Sequence, residues 1–262
     1  MNRLCAAAFL LAALLVAGCR QQPNAGPTQL TAVIVSEYPH DQTAFTQGLV
    51  WDTNAMYEST GLFGQSSLRR VDLASGKVLQ RRNYGSQFFA EGLAVFGDSL
   101  YQLTWSNGVI FQYAKDSFDL RRTFPWPHEG WGITHDGSSL IISDGSATLY
   151  FLAPDDMSER RRVTVRDRGR EITRLNELEY VNGSVYANVW HEERIAVINP
   201  ADGAVTAWID LSAVCARMRS GNPEAVLNGI MYDAAADRLI VTGKLWPALF
   251  AVKTVPIGQN QP

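Results

Sequence analysis

Phe89-Ala90-Glu91-Gly92-Leu93, followed by Leu100-Tyr101-Gln102-Leu103-Thr104-Trp105, is one copy of a phrase that the chain repeats. Upstream it reads Phe45-Thr46-Gln47-Gly48-Leu49, then Met56-Tyr57-Glu58-Ser59. Downstream it returns as Gly130-Trp131-Gly132-Ile133 before Leu140-Ile141-Ile142-Ser143, and as Leu175-Asn176-Glu177-Leu178-Glu179 before Val185-Tyr186-Ala187-Asn188. The last copy is Leu227-Asn228-Gly229-Ile230 before Leu239-Ile240-Val241-Thr242-Gly243. Aligning Gly48, Gly92, Gly132, Glu177 and Gly229 gives spacings of 44, 40, 45 and 52 residues. Short β-rich runs repeated at that period mark a propeller or array.

The second half of the unit repeats as well. Ser67 to Asp72 and Glu193 to Asn199 each run into a Gly-bearing turn, at Gly76 and Gly203, and then a further β-rich run. That is the pattern of a hairpin. One unit is therefore four strands, and four-stranded units arranged radially make an all-β fold, the β-propeller. The count is five. The blades fall at about 44–84, 88–124, 129–167, 175–211 and 227–254, the last completed by a strand at 30–38. That N-terminal strand precedes Phe45-Thr46-Gln47-Gly48 as an outer strand precedes the next copy, while the chain ends one strand short of a full fifth blade. Pairing the two closes the ring and covers an exposed edge. Tyr38-Pro39-His40-Asp41 also echoes Trp126-Pro127-His128-Glu129, which precedes the third copy. The longer connection at 211–222 has room for a helical turn.

The ends read differently. Met1-Asn2-Arg3 and the apolar run Leu4 to Val16 form a secretory signal too short to span a membrane. The run closes on Leu15-Val16-Ala17-Gly18-Cys19, similar to a bacterial lipobox, so cleavage of residues 1–18 would leave a lipidated Cys19. The expected product is an exported, periplasmic lipoprotein of the bacterial cell envelope, anchored through Cys19. It carries a flexible tether at 19–29, one catalytic domain at 30–254 and a loose tail at 255–262. Loss of Arg3 takes the formal charge from −3 to −4. An acidic chain argues against nucleic acid as partner. Cys5 is discarded and Cys19 lipidated, so Cys215 stands alone as an inert packing residue. A monomer is expected. Arg160, Arg161, Arg162, Arg166, Arg168, Arg170 and Arg174 read as a solvated outer strand and loop.

In a propeller the first strand of each blade lines the channel. The residue before each aligned position then sits at one level: Gln47, Glu91, Trp131, Asn176 and Asn228. Polar and aromatic groups converging in a concavity define the default site. Four scattered histidines offer no metal spacing, and no Gly-x-Ser-x-Gly is present.

These residues carry a resemblance. The phrases above, with Leu103-Thr104-Trp105, Glu129-Gly130-Trp131-Gly132, Asn188-Val189-Trp190 and Thr242-Gly243-Lys244-Leu245-Trp246, are similar to the plant-and-bacterial glutaminyl cyclotransferases from about residue 36 to 254. The resemblance implies a five-bladed propeller that cyclises the N-terminal glutamine of peptides or proteins to pyroglutamate, releasing ammonia. Site positions match at Phe45, Gln47, Phe89, Glu91, Trp105, Trp131, Asn176, Trp190 and Lys244. No cofactor and no metal are expected. The chemistry requires a proton to travel from the attacking amine to the leaving nitrogen while an oxyanion develops. Glu91 suits the shuttle if its aromatic neighbours raise its pKa. Lys244 and Asn176 suit the oxyanion or carboxamide. Phe45, Gln47, Phe89, Trp105, Trp131 and Trp190 form the substrate-binding walls. Glu177, one position on, is expected to turn away from the channel centre. Two alternatives stay open: a non-catalytic propeller that binds a partner, and a calcium-dependent propeller hydrolase using Glu91, Asn176, Glu177 and Asn228.

Overall fold

The computed structural model describes residues 26–258. The leader, Cys19 and the tether as far as residue 25 lie outside the described residues, as do residues 259–262. The described chain is almost entirely strand. β1 (Thr28–Pro39) comes first, followed by four-stranded units built in sequence order. The first unit is β2 (Thr46–Asp52), β3 (Ala55–Thr60), β4 (Ser67–Val71) and β5 (Val78–Asn83). The second is β6 (Ala90–Phe96), β7 (Ser99–Thr104), β8 (Val109–Ala114) and β9 (Leu120–Pro125). The third is β10 (Ile133–His135), β11 (Leu140–Ser143), β12 (Thr148–Leu152) and β13 (Glu159–Thr164). A small hairpin of β14 (Arg166–Asp167) and β15 (Arg170–Glu171) follows. Then come β16 (Leu175–Val181), β17 (Ser184–Val189), β18 (Arg194–Ile198) and β19 (Val205–Asp210), helix α1 (Ser212–Met218), and β20 (Leu227–Asp233), β21 (Arg238–Gly243) and β22 (Ala248–Pro256).

β1 pairs antiparallel with β22, from Leu30 against Pro256 to Pro39 against Ala248. Its first residues, Thr28 to Thr31, also pair in parallel with Ala207 to Asp210 of β19. The last two units thereby share one eight-stranded sheet, and both outer edges are covered by β1. Strand pairing reaches two residues past each expected limit of the domain: Thr28 and Gln29 pair with Ala207 and Trp208 of β19, and Val255 and Pro256 pair with Thr31 and Leu30 of β1. The first strands of the units pack in a cycle: β2 on β6, β6 on β10, β10 on β16, β16 on β20, and β20 on β2. The architecture is all-β and propeller-like.

The aligned glycines explain the period. A Cβ on Gly92 would lie 2.7 Å from the Trp131 carbonyl oxygen, and one on Gly132 would lie 2.0 Å from that of Asn176. At Gly48, Gly92 and Gly132 one first strand thus approaches the next backbone to backbone, closer than any side chain permits. Aliphatic and aromatic side chains fill the space between units. Leu68, Leu93, Leu100 and Tyr113, for example, form one buried cluster across the first and second units. Each such leucine contributes about 1.5–3 kcal/mol relative to exposure. Outside, Arg161 stacks over Phe151 and Arg162 over Tyr150, so the basic strand covers aromatic surface while facing solvent. Cys215 is buried in α1, and burial pushes its thiol up to about 12.

Candidate active site

Four of the five repeat phrases contain a β-bulge. The register slips between Thr46 and Gly48, Ala90 and Leu93, Leu175 and Leu178, and Leu227 and Ile230. A bulge leaves a residue out of the ladder and re-aims its side chain. The residues released are Gln47 in the first unit and the pairs Glu91–Gly92, Asn176–Glu177 and Asn228–Gly229 in the second, fourth and fifth. In the third unit Trp131 precedes the strand, held by Trp131 N–H to the Ser143 carbonyl at 3.0 Å.

Gln47, Glu91, Trp131 and Asn176 converge on a cavity of about 390 Å³. Phe45, Phe89, Trp105, Trp190 and Lys244 complete its expected lining, so all nine expected site residues meet there. Leu62 and Glu224 also line it. Asn228 is not in the lining. It stands behind Gln47, donating through Nδ2 to the Thr46 carbonyl at 2.9 Å and to Gln47 Oε1 at 3.2 Å. Gln47 Nε2 in turn donates to Glu91 Oε1 at 2.8 Å. A second cavity, of about 270 Å³, lies near the far ends of the first strands against Asp52, His135 and Glu179, and holds none of the nine.

The walls are aromatic. Phe89 meets Phe45 and Trp105 edge-on at centroid distances of 6.0 and 5.7 Å, and Trp131 meets Trp190 at 5.6 Å. The half-exposed Phe63 extends this wall outward against Phe89 and Trp105. One carboxylate oxygen, Glu129 Oε2, accepts from Trp105 Nε1 at 2.9 Å and from Trp131 Nε1 at 2.8 Å. Gly145 leaves the space for the Trp131 ring, since a Cβ there would fall 2.6 Å from it.

Within these walls lie two buried charges. Burial raises the Glu91 carboxyl well above the ordinary carboxylate range; Lys244 pulls it down and Glu129 pushes it further up. Burial lowers the Lys244 ammonium, against the opposing pull of Glu91 and Glu224. The ammonium rests 4.7 Å from the centroid of the Phe45 ring, a cation–π contact. Asn176 Oδ1 and Trp190 Nε1 are buried at the wall without a hydrogen-bond partner among the described residues.

Glu177 departs from expectation. It occupies the place of the fourth aligned glycine and is buried, with its carboxylate turned toward β20 beside it and β2 across the cycle. It accepts from Leu49 N–H at 3.2 Å and Ile230 N–H at 2.8 Å. Glu177 is thus engaged separately from Glu91, while Asn228 reaches Glu91 only through Gln47. Among the described residues no group of three or more His, Cys, Asp or Glu is placed to hold a metal ion.

A propeller-like β-fold with an aromatic pocket around a buried carboxyl and a buried amine defines the class of protein. The chain belongs to the glutamine cyclotransferase family, whose sequence model matches residues 6–254. A glutaminyl-peptide cyclotransferase of Arabidopsis thaliana is 45% identical over 226 residues, spanning 84% of this chain and 70% of that protein. The crystal structure of Myxococcus xanthus glutaminyl cyclase matches with a TM-score of 0.84 and 41% identity, covering 88% of this chain and 99% of that one.

Proposed function

We propose that this protein is a glutaminyl-peptide cyclotransferase that works through Glu91 in the aromatic pocket. The observation that carries the mechanism is a carboxyl that burial holds well above the ordinary carboxylate range, inside a cavity of a size to hold one side chain. The N-terminal glutaminyl residue of a peptide enters with its methylenes against Phe45, Phe89, Trp105, Trp131 and Trp190. Its α-amine comes to Glu91, oriented by the Gln47 bond. Both reacting groups lie in one residue, so binding has only to fix a rotamer.

The α-nitrogen attacks the side-chain amide carbon, forming the ring C–N bond, and the carbonyl electrons pass to oxygen. Lys244 stabilises that oxyanion at short range in a medium of low polarity. Glu91 takes the proton from the attacking nitrogen and delivers it to the amide nitrogen. The carbonyl re-forms, the old C–N bond breaks and ammonia leaves. The unpartnered Asn176 Oδ1 and Trp190 Nε1 offer an acceptor and a donor to the bound residue.

The fold reading is a five-bladed propeller with β1 as the outer strand of the last blade. It is supported by the cyclic packing of β2, β6, β10, β16 and β20 and by the β1–β22 pairing. We also place the protein in the cell envelope as a Cys19-anchored monomer, on the lipobox-like stretch alone. The test of function is incubation of the pure protein with a Gln-initiated dipeptide, with ammonia as readout and EDTA in a parallel reaction. Ammonia release at equal rates is expected. Absence of release overturns the activity, and loss on chelation that calcium restores favours the hydrolase alternative.

A further inference from the structure

The sequence motif Pro39-His40-Asp41 takes no part in the pocket, yet His40 lies directly behind it. We propose that His40 and Glu58 form a buried ionic clamp that positions Lys244 and Gln47 across the seam where the last unit meets the first. The clamp rests on the cyclotransferase reading, since it concerns the two side chains that reading uses.

The geometry is two-sided. His40 Nδ1 faces the Trp246 carbonyl oxygen at 2.7 Å, and Nε2 faces Glu58 Oε1 at 2.9 Å. A carbonyl oxygen only accepts, so Nδ1 carries hydrogen. Burial opposes ionisation of Glu58, yet His40 and Arg69 hold its carboxyl below the ordinary range, so Oε1 accepts from Nε2 as it does from Thr46 Oγ1 at 2.8 Å. Both ring nitrogens are donors, which makes the ring an imidazolium. Both side chains are only 1% exposed. Arg69 lies 3.6 Å from Glu58 Oε2 and 2.8 Å from Asp41, while Arg81 stands nearby on β5. Two buried cations, His40 and Arg69, thus face buried Glu58 and the partly exposed Asp41, with Arg81 a third cation at the edge of the cluster.

Each arm ends beside a pocket residue. Thr46 sits between Phe45 and Gln47 in the bulge of β2. Trp246 sits two residues beyond Lys244 in the turn joining β21 to β22. That turn is strained: Leu245 has φ +60, a left-handed conformation that non-glycine residues keep only where surrounding contacts enforce it. The contacts here come from the same seam. Leu245 N–H donates to the Ala44 carbonyl at 2.7 Å, and His40 N–H donates to the Pro247 carbonyl at 2.9 Å. A buried charged pair is poor at adding stability. Its geometric effect here is to fix the Lys244 turn against the Gln47 strand, although the two are distant in sequence.

His40 and Glu58 touch no substrate and are positioning residues, so misplacement of Lys244 is the expected defect. The variants are His40→Asn, Glu58→Gln and Thr46→Val, the last removing only the hydroxyl that Glu58 holds. Val197→Ala, a core truncation in the fourth unit, serves as a destabilised control. Steady-state kinetics with a Gln-initiated dipeptide are measured well below each variant's Tm. Because an ångström-scale displacement of a catalytic group costs up to about 10²-fold, kcat should fall by about 10–100-fold in His40→Asn and Glu58→Gln. Thr46→Val should show a smaller fall of the same kind, and it stands as the test should the charged-pair variants not fold. KM should be nearly unchanged, since the aromatic walls are untouched. Val197→Ala should lower Tm and leave kcat unchanged. Clamp variants that lose Tm but keep kcat as Val197→Ala does, or that change KM alone, overturn the clamp while leaving the activity standing. A wild type inert toward the dipeptide overturns both.

Discussion

Glu91→Gln isolates proton transfer from every other role of that side chain. Glutamine has the same length, and its Oε1 can still accept from Gln47 Nε2, now 2.8 Å from Glu91. The aromatic walls make no hydrogen bond to Glu91, so their positions should hold. What disappears is the ability to take a proton from one nitrogen and give it to another. That ability contributes about 10²–10⁴-fold in general acid–base catalysis, so kcat should fall by that factor while KM changes little. The pH profile carries a second signature. Reaction through the carboxylate form rises with pH through the Glu91 pKa, and burial places that pKa above the ordinary carboxylate range. The substrate's α-amine must also shed its proton, with a pKa of about 7.7–8.0, so the acid side should carry two limbs; the one due to Glu91 lies above the usual carboxylate value of about 4.3 and vanishes in Glu91→Gln, leaving that of the amine. Glu129 adds a negative charge that pushes the Glu91 pKa up. Glu129→Gln keeps an acceptor for the two indole N–H groups, and should move the Glu91 limb to lower pH. Initial rates of ammonia release from a Gln-initiated dipeptide, from pH 4 to 9, measure all of this. A Glu91→Gln enzyme within about threefold of wild type in kcat, against the 10²-fold lower bound, would remove Glu91 as shuttle.

Other outcomes are expected from the rest of the chain. Deleting residues 30–38 removes the partner of β22 and should lower Tm sharply; a truncated protein melting as wild type does would refute ring closure through β1. Cys19→Ser should shift the protein from the membrane fraction to the soluble one on cell fractionation, and unchanged membrane association would reject lipidation there. Glu179 is buried with its carboxyl pushed up to about 8, against about 4.3 in an unfolded chain. Between those values the folded state holds a proton that the unfolded state has released, so stability should decline as pH rises, by on the order of 3–5 kcal/mol overall. Glu179→Gln should flatten that decline in urea melts at pH 5 and pH 8; an equal slope in the variant would assign the effect elsewhere.

The repeat phrase was legible because its physical cause is local and recurs. A glycine stands at four of the five aligned places, and in four of the five phrases a bulge beside that place re-aims one side chain. Hence Gln47, Glu91, Trp131 and Asn176 could be placed at one level from spacing alone, and the family resemblance supplied the aromatic walls and Lys244. Asn228 follows the same spacing but falls behind Gln47, because its amide is spent on the Thr46 carbonyl. Glu177 misled for the opposite reason. In place of a glycine it was read as turned outward, whereas its carboxylate reaches the Leu49 and Ile230 amides. Leu62 and Glu224 carry no distinctive signal, since each lies in a loop whose path depends on the finished ring; Glu129 stands in the Glu129-Gly130-Trp131-Gly132 phrase, but its hold on two indoles is not legible there. The contact of His40 with Trp246 spans 206 residues and exists only once the ends of the chain meet.

The central claim is that the α-nitrogen displaces the side-chain nitrogen within one residue. A Gln-initiated dipeptide labelled with nitrogen-15 at the side-chain amide tests it directly. All released ammonia should carry the label, the peptide product should be the unlabelled pyroglutamyl ring, and the same peptide acetylated at its α-nitrogen should be inert. Ammonia released from the acetylated peptide, or a product bearing a free glutamate side chain, would contradict the account.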